Sequence, residues 1–288
     1  MHLLDGKFIA QEMYTRLQSD AAELKARGVN PKLVIILVGD HPASLSYIKS
    51  KAKASQVVGI ECDVKNFSAY EMNTEKLTGF IRELNEDSSV HGILVQLPLP
   101  KHIYEPDIIR AISPEKDVDG FTAYNLGKMF LSTEFEELAP CTPLGIIKML
   151  EHAKIEIEGK EAVVVGRSNI VGKPMAIMLL NRGATVTVCH SKTVDLASHT
   201  KRADILVVAV GKRDLITADM VKDSAALIDV GMNRKEDGKL VGDCDFENVS
   251  KKVSYITPVP GGCGPMTVAC LMNNVIKAVY KQNHSLLN

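Results

Sequence analysis

The sequence predicts a two-domain α/β fold with largely parallel sheets, and three observations carry the prediction. Short apolar, β-branched runs alternate with segments of helical spacing in two separate stretches, residues 32–97 and 161–231. Between them, six prolines punctuate residues 98–143 and the regularity lapses. A length of 288 residues exceeds what one core of ordinary size needs and suits two.

Taken in order, Ile9, Met13, Leu17, Ala21 and Leu24 repeat at helical spacing within residues 3–27, and Gly28 stops the run. KLVIILV at 32–38 reads as a strand buried on both faces, closed by Gly39 and Asp40. Pro42 suits the first turn of a helix that runs to Val58 and ends at Gly59. Residues 62–67 alternate as a strand, 74–84 are helical, and GILVQL at 92–97 is another buried strand. A linking helix over 144–152 leads to the second stretch. There EAVVVGRSNIVGKPMAIMLL (161–180) reads as strand, glycine turn and helix. Strands at 185–188, 204–208 and 226–230 follow, with a helix at 193–200. The tail departs from this alternation: TPVPGGCGPMT (257–267) is a Gly/Pro loop and 268–280 an apolar helix. No strand follows that helix, so it is expected to pack back on the first domain.

Composition excludes several classes. A net charge of −1 with both signs interspersed leaves no electrostatic footprint for nucleic acid or a membrane surface. No apolar run is long enough to span a bilayer, and Asp5 and Lys7 break any leader core near Met1. The six cysteines show neither a C-x-x-C pair nor a metal-ligand spacing with His, so they read as thiols of a reducing compartment and predict no metal. The expectation is a cytoplasmic protein.

The turn after the strand at 162–165 aims backbone N–H groups and the positive end of a helix at an anion; a plain tight turn is the alternative. Against the fingerprint G-x-G-x-x-G, Gly166 matches, Ser168 and Val171 stand at the other two positions, and Gly172 comes one residue late. A small Ser tolerates close phosphate approach, and Arg167 adds charge and forked donors. An NAD site usually carries an acid after the second strand, for the ribose hydroxyls. CHSKT (189–193) has none, but offers Ser191 and Lys192. That favours NADP over NAD, with a solvated Lys192 as the alternative. G-R-S-N-I also resembles the nucleophile elbow of α/β-hydrolases, yet Ile170 stands where the strained turn needs a small residue.

In the first domain, Ser44, Tyr47 and Lys51 share one helix face, although Lys49 and Lys53 also suit a solvated polar face. Gln96 lies in a buried strand, where its amide needs partners, and strand ends in parallel sheets line clefts. KDVDGF adds the carboxylates Asp117 and Asp119. A lysine among such groups is a candidate for proton exchange with a substrate.

Eight motifs, in order and nearly spanning the chain, carry a resemblance: S-x-x-Y-x-x-x-K (44–51), VQLPLP (95–100), PEKDVDGF (114–121), PCTPLG (140–145), GRSNIVGKP (166–174), DVGMNR (229–234), VGDCDF (241–246) and PGGCGPMT (260–267). Together they resemble the bifunctional methylenetetrahydrofolate dehydrogenase/cyclohydrolase family. The resemblance implies a folate-binding catalytic domain over 1–140, to which helix 265–288 returns, and a Rossmann-like NADP-binding domain over 141–264, flanking a cleft. It implies NADP-linked oxidation of 5,10-methylenetetrahydrofolate to the 5,10-methenyl cation, then hydrolysis to 10-formyltetrahydrofolate. Lys51 is then the acid/base group, Tyr47 stacks on the folate, Gln96 positions Lys51, and Asp119 accepts from the pterin edge. Leu97, Pro98, Pro260, Gly261 and Gly262 complete the substrate site. Gly166, Arg167, Ser168, Ser191, Lys192 and Met232 hold the cofactor. A homodimer pairing through the cofactor domain is also implied. Cys263, Met232 and Cys244 stand where the family usually has Val, Ile and Val, all apolar exchanges. Two alternatives remain: another two-domain NADP dehydrogenase resembling shikimate dehydrogenase, which leaves Gln96 and PGGCGPMT unexplained, and a nucleotide-binding module without catalysis.

Overall fold

A computed structural model describes residues 1–283. The chain forms two compact bodies. The first comprises Glu12–Lys128, Glu136–Cys141 and the chain from Val268; the second comprises Met1–Gln11, Met129–Phe135 and Thr142–Thr267.

The chain begins with β1 (His2–Leu3) and α1 (Gly6–Ala26), then β2 (Lys32–Val38), α2 (Pro42–Val58) and β3 (Glu61–Phe67). Gly59 ends α2 in the left-handed region at φ 88°, as its place after Val58 predicts. Next come α3 (Thr74–Glu86), opened by the Asn73 side chain accepting from Lys76 N, and β4 (Gly92–Val95). The three strands pair in parallel in the order β3-β2-β4, with β2 central and its apolar run buried. Leu77, Ile81 and Leu84 of α3 pack into one core with Val34, Ile36 and Ile93.

β4 is shorter than the 92–97 expected. Gln96 N still donates to Ile36 O at 2.8 Å, but Pro98 carries no N–H to continue the ladder. Residues 98–143 are also more regular than expected, for they contain α4 (Glu105–Ala111), α5 (Ala123–Met129) and the start of α6 (Cys141–His152). Pro106 and Pro143 lie in the first turns of α4 and α6, where a missing N–H costs nothing.

The second body holds β5 (Glu161–Val165), α7 (Gly172–Leu180), β6 (Thr185–Cys189), α8 (Leu196–Thr200), β7 (Ile205–Val208) and β8 (Ala226–Asp229). A two-stranded ribbon of β9 (Asn233–Arg234) and β10 (Leu240–Val241) follows, then α9 (Phe246–Val249) and β11 (Tyr255–Ile256). Its six-stranded sheet runs β1-β11-β8-β7-β5-β6, parallel throughout. Residues 1–11 therefore group with this body rather than with 1–140, because β1 pairs with β11: His2 lies opposite Tyr255 and Leu3 opposite Ile256.

The last helix, α10 (Cys263–Gln282), starts inside the stretch read as a loop, with Pro265 in its first turn. From Val268 onward it belongs to the first body. Asn274, fully buried, donates to Val118 O at 3.0 Å and to Ala139 O at 2.9 Å, clamping the 117–122 segment against 138–141. Among the described residues no helix is long and apolar enough to cross a membrane. All six cysteines are free, and Cys62 alone of them is not buried.

Candidate active site

Helical spacing places Tyr47 and Lys51 one turn apart on α2, and the end of β4 delivers Gln96 to Lys51. Lys51 is 6% exposed, and its Nζ donates to Gln96 Oε1 at 3.0 Å. The other half of the amide is also fixed: Gln96 Nε2 donates to Leu97 O at 2.7 Å. An ammonium held in so little water by one neutral acceptor keeps donor capacity for a ligand.

The sequence left Asp117 and Asp119 side by side, and the structure separates their roles. Asp117 is 2% exposed, and its carboxylate accepts from Gly120 N, Phe121 N, Thr122 N and Asn125 Nδ2 at 2.8–3.2 Å. It ties the turn. Asp119 lies within electrostatic reach of Lys51 and beside the Cys141 thiol. Burial pushes its carboxyl above the ordinary carboxylate range; Lys51 opposes the shift, while the charge of Asp117 adds to it. A narrow, largely apolar recess is lined by Val95, Leu97, Ile109 and Phe121 together with Asp117 and Asp119. Pro98, after the recess, is exposed.

In the second body the strand order reverses at β5, with β6 on one side and β7 on the other, and crevices at such points take dinucleotides. Gly166 has φ 132°, and a Cβ there would stand 2.4 Å from Ala209 O. Gly172, one residue late in the fingerprint, takes the part of its third glycine: a Cβ would meet Gly166 O at 2.2 Å, so α7 closes onto the turn. Ser168 Oγ accepts from Val171 N and Gly172 N at 3.2 and 3.3 Å, leaving its hydroxyl hydrogen for a ligand, and Arg167 beside it is exposed. After β6, Ser191 and Lys192 are exposed, while Lys192 N and His190 N are tied to His190 Nδ1 and Thr193 Oγ1. Met232 is 48% exposed. A tight glycine turn, a helix start and exposed cations fit a dinucleotide.

Pro260, Gly261 and Gly262 belong to this second body. Gly261 needs its φ of 120°, and Gly262 N donates to Pro258 O at 2.8 Å. The structure thus brings Lys51, Gln96 and Asp119 together in one body and sets the glycine loop in the other. Sequence reasoning missed Asn274 and Asp243, whose partners are backbone groups distant in sequence.

Two family models match the chain: the tetrahydrofolate dehydrogenase/cyclohydrolase catalytic domain over residues 4–119, and the NAD(P)-binding domain of the same enzymes over 140–283. The chain belongs to the tetrahydrofolate dehydrogenase/cyclohydrolase family. Membership sets aside the alternative resembling shikimate dehydrogenase. A relative in this family, the bifunctional protein FolD of Nautilia profundicola, is 55% identical over 279 residues, covering 96% of this chain and 97% of its own. The crystal structure of the bifunctional FolD of Campylobacter jejuni superposes with a TM-score of 0.95 at 51% identity, over 98% of this chain and 99% of that one. Trypanosoma brucei FolD, solved with NADP and an inhibitor, gives 0.93 at 36% identity over 98% of both chains.

Proposed function

We propose that this member of the family oxidises 5,10-methylenetetrahydrofolate to 5,10-methenyltetrahydrofolate with NADP and hydrolyses the product to 10-formyltetrahydrofolate, serving one-carbon metabolism. The observation that carries the reading is the buried Lys51 ammonium, hydrogen-bonded to Gln96 within electrostatic reach of Asp119.

In the hydrolysis, water attacks the electrophilic carbon of the methenyl cation and loses a proton, and a ring nitrogen leaves as the C–N bond breaks. Lys51 is the group that exchanges protons in these steps, and Gln96 fixes where its Nζ stands. Asp119 accepts from the amino-pyrimidine edge of the pterin, Tyr47 stacks on the folate, and Leu97 and Pro98 wall the site. Pro260, Gly261 and Gly262 supply the backbone that meets the substrate during oxidation.

NADP, when bound, accepts the hydride. Gly166, Arg167 and Ser168 hold its diphosphate, Ser191 and Lys192 its 2′-phosphate, and Met232 contacts it from the loop after β8. The second body also pairs with a second copy: Phe130 and Leu131 there are 68% and 67% exposed, which supports a covering surface. Six free cysteines and the absence of a membrane-crossing helix among the described residues support a cytoplasmic setting.

The test is direct. Purified protein given methylenetetrahydrofolate and NADP should form the methenyl chromophore, which then decays by hydrolysis. Failure to form reduced cofactor would leave only a nucleotide-binding module.

A further inference from the structure

The VGDCDF segment finds no use in the proposed chemistry, yet its Asp243 and the neighbouring Asp229 of DVGMNR are the most buried carboxylates of the second body among the described residues. Asp243 is 0% exposed and Asp229, at the end of β8, 3%. Neither has a described cation in ion-pair distance. Asp229 accepts from Gly231 N, Asp243 N and Cys244 N, each at 2.9 Å. Asp243 in turn accepts through Oδ2 from Val210 N at 2.8 Å and Gly211 N at 3.0 Å, and through Oδ1 from Asn233 Nδ2 at 2.9 Å. Two glycines make room for the carboxylates: a Cβ on Gly231 would lie 2.2 Å from Asp243 Oδ1, and one on Gly242 would lie 1.9 Å from Asp229 Oδ2.

The loop that Asp243 serves lies at the surface. Val210 is 39% exposed and Gly211 is exposed as well, so water reaches that loop. Burying a carboxylate with no cation beside it is costly even when N–H groups satisfy it. What the carboxylate does gain is position. It joins the turn after β7, which lies against Gly166 through Ala209, to Asn233, the residue after Met232. Both turns stand at the carboxyl ends of strands beside the point where strand order reverses.

We propose that Asp243 is a positioning residue for the dinucleotide: its carboxylate holds the turns after β7 and β8 as the walls of the cofactor crevice, and Asp229 holds Asp243. This rests on the NADP reading of that crevice. Asp243→Asn turns an NH₂ group toward Val210 and Gly211 N–H or toward Asn233 Nδ2, a donor–donor conflict in either orientation. Adding Asn233→Asp gives the amide introduced at 243 an acceptor while it accepts from the two backbone N–H groups, but it loses the bond from Asn233 Nδ2 to Gly242 O at 2.8 Å, so the rescue is partial.

The experiment titrates NADPH by its own fluorescence and follows amide hydrogen exchange at 210–211, with methenyl hydrolysis measured in the absence of dinucleotide. For Asp243→Asn we expect the NADPH Kd to rise about tenfold, the loss of roughly one charged hydrogen bond, with faster exchange at 210–211 and hydrolysis within about twofold. The double variant should recover part of the affinity. Should Asp243→Asn not fold, Asn233→Ala removes the amide that donates to Asp243 Oδ1 and to Gly242 O and keeps the charge, and a Kd raised severalfold supports the same assignment. Unchanged Kd with faster exchange, or equal loss of binding and hydrolysis without rescue, would overturn it. A wild-type protein that binds no NADPH would instead overturn the cofactor reading beneath it.

Discussion

Lys51 meets two kinds of neighbour, a neutral amide oxygen on Gln96 and a carboxyl on Asp119 that burial keeps above its ordinary range. With the methylene stem buried and the nitrogen tethered, Lys51→Met preserves most of the packing and deletes the proton exchange. Hydrolysis of the methenyl cation should fall by a factor of about 100 or more, while folate affinity stays within a few-fold. Hydrolysis at the wild-type rate would remove Lys51 from the acid/base role. Lys192 is the corresponding test in the second body, exposed at the end of β6 where no acid competes for the ribose. Lys192→Ala should raise KM for NADP by about tenfold and leave KM for NAD nearly unchanged. Equal effects on both cofactors would show that this lysine does not see the 2′-phosphate.

At the scale of elements, His91 joins two parts of the first body just before β4. Its Nδ1 accepts from Lys32 N at 3.3 Å, and its carbonyl accepts from Gln282 Nε2 of α10 at 2.9 Å. Burial lowers its pKa from the ordinary 6.5, and the nearby Lys116 charge lowers it further, with Asp87 opposing. Between the folded and unfolded values the unfolded chain binds the extra proton. The stability from this imidazole is therefore intact above pH 6.5 and is lost as pH falls below it. Urea midpoints at pH 7.5 and 5.5 should separate more for wild type than for His91→Gln; parallel shifts would exclude His91 as a source. How legible such elements are varies with their physics. β2 is plain in KLVIILV, because a strand covered on both faces must be apolar throughout. The helices α4 and α5 are not, since Pro106 reads as an interruption until its place in a first turn is known. β1, β9, β10 and β11 have two residues each, too short for any period, and exist through pairing with distant residues. The site divides the same way. Lys51 and Gln96 announce themselves as polar groups in a helical register and an apolar strand, whereas Asp243 and Asn274 serve main-chain groups that no side-chain pattern records.

At the scale of the molecule, each body is assembled from separate lengths of chain, which passes between them five times. The first body depends on α10 for Leu271, Met272 and Val275, none more than 1% exposed, each worth about 1.5–3 kcal/mol of burial. A fragment spanning residues 12–141 lacks these side chains and the Asn274 clamp on Val118 and Ala139. It should therefore lose cooperative denaturant unfolding, and a sharp urea transition from that fragment would contradict this dependence. The interleaving also bears on synthesis. A ribosome delivers residues 12–141, then must make 142–267 for the other body before α10 can emerge. The body made first is thus the one completed last, and the half-built surface that carries Lys51 is exposed for the whole interval. For this chain, the cellular hazard lies in the order of manufacture as much as in the finished stability.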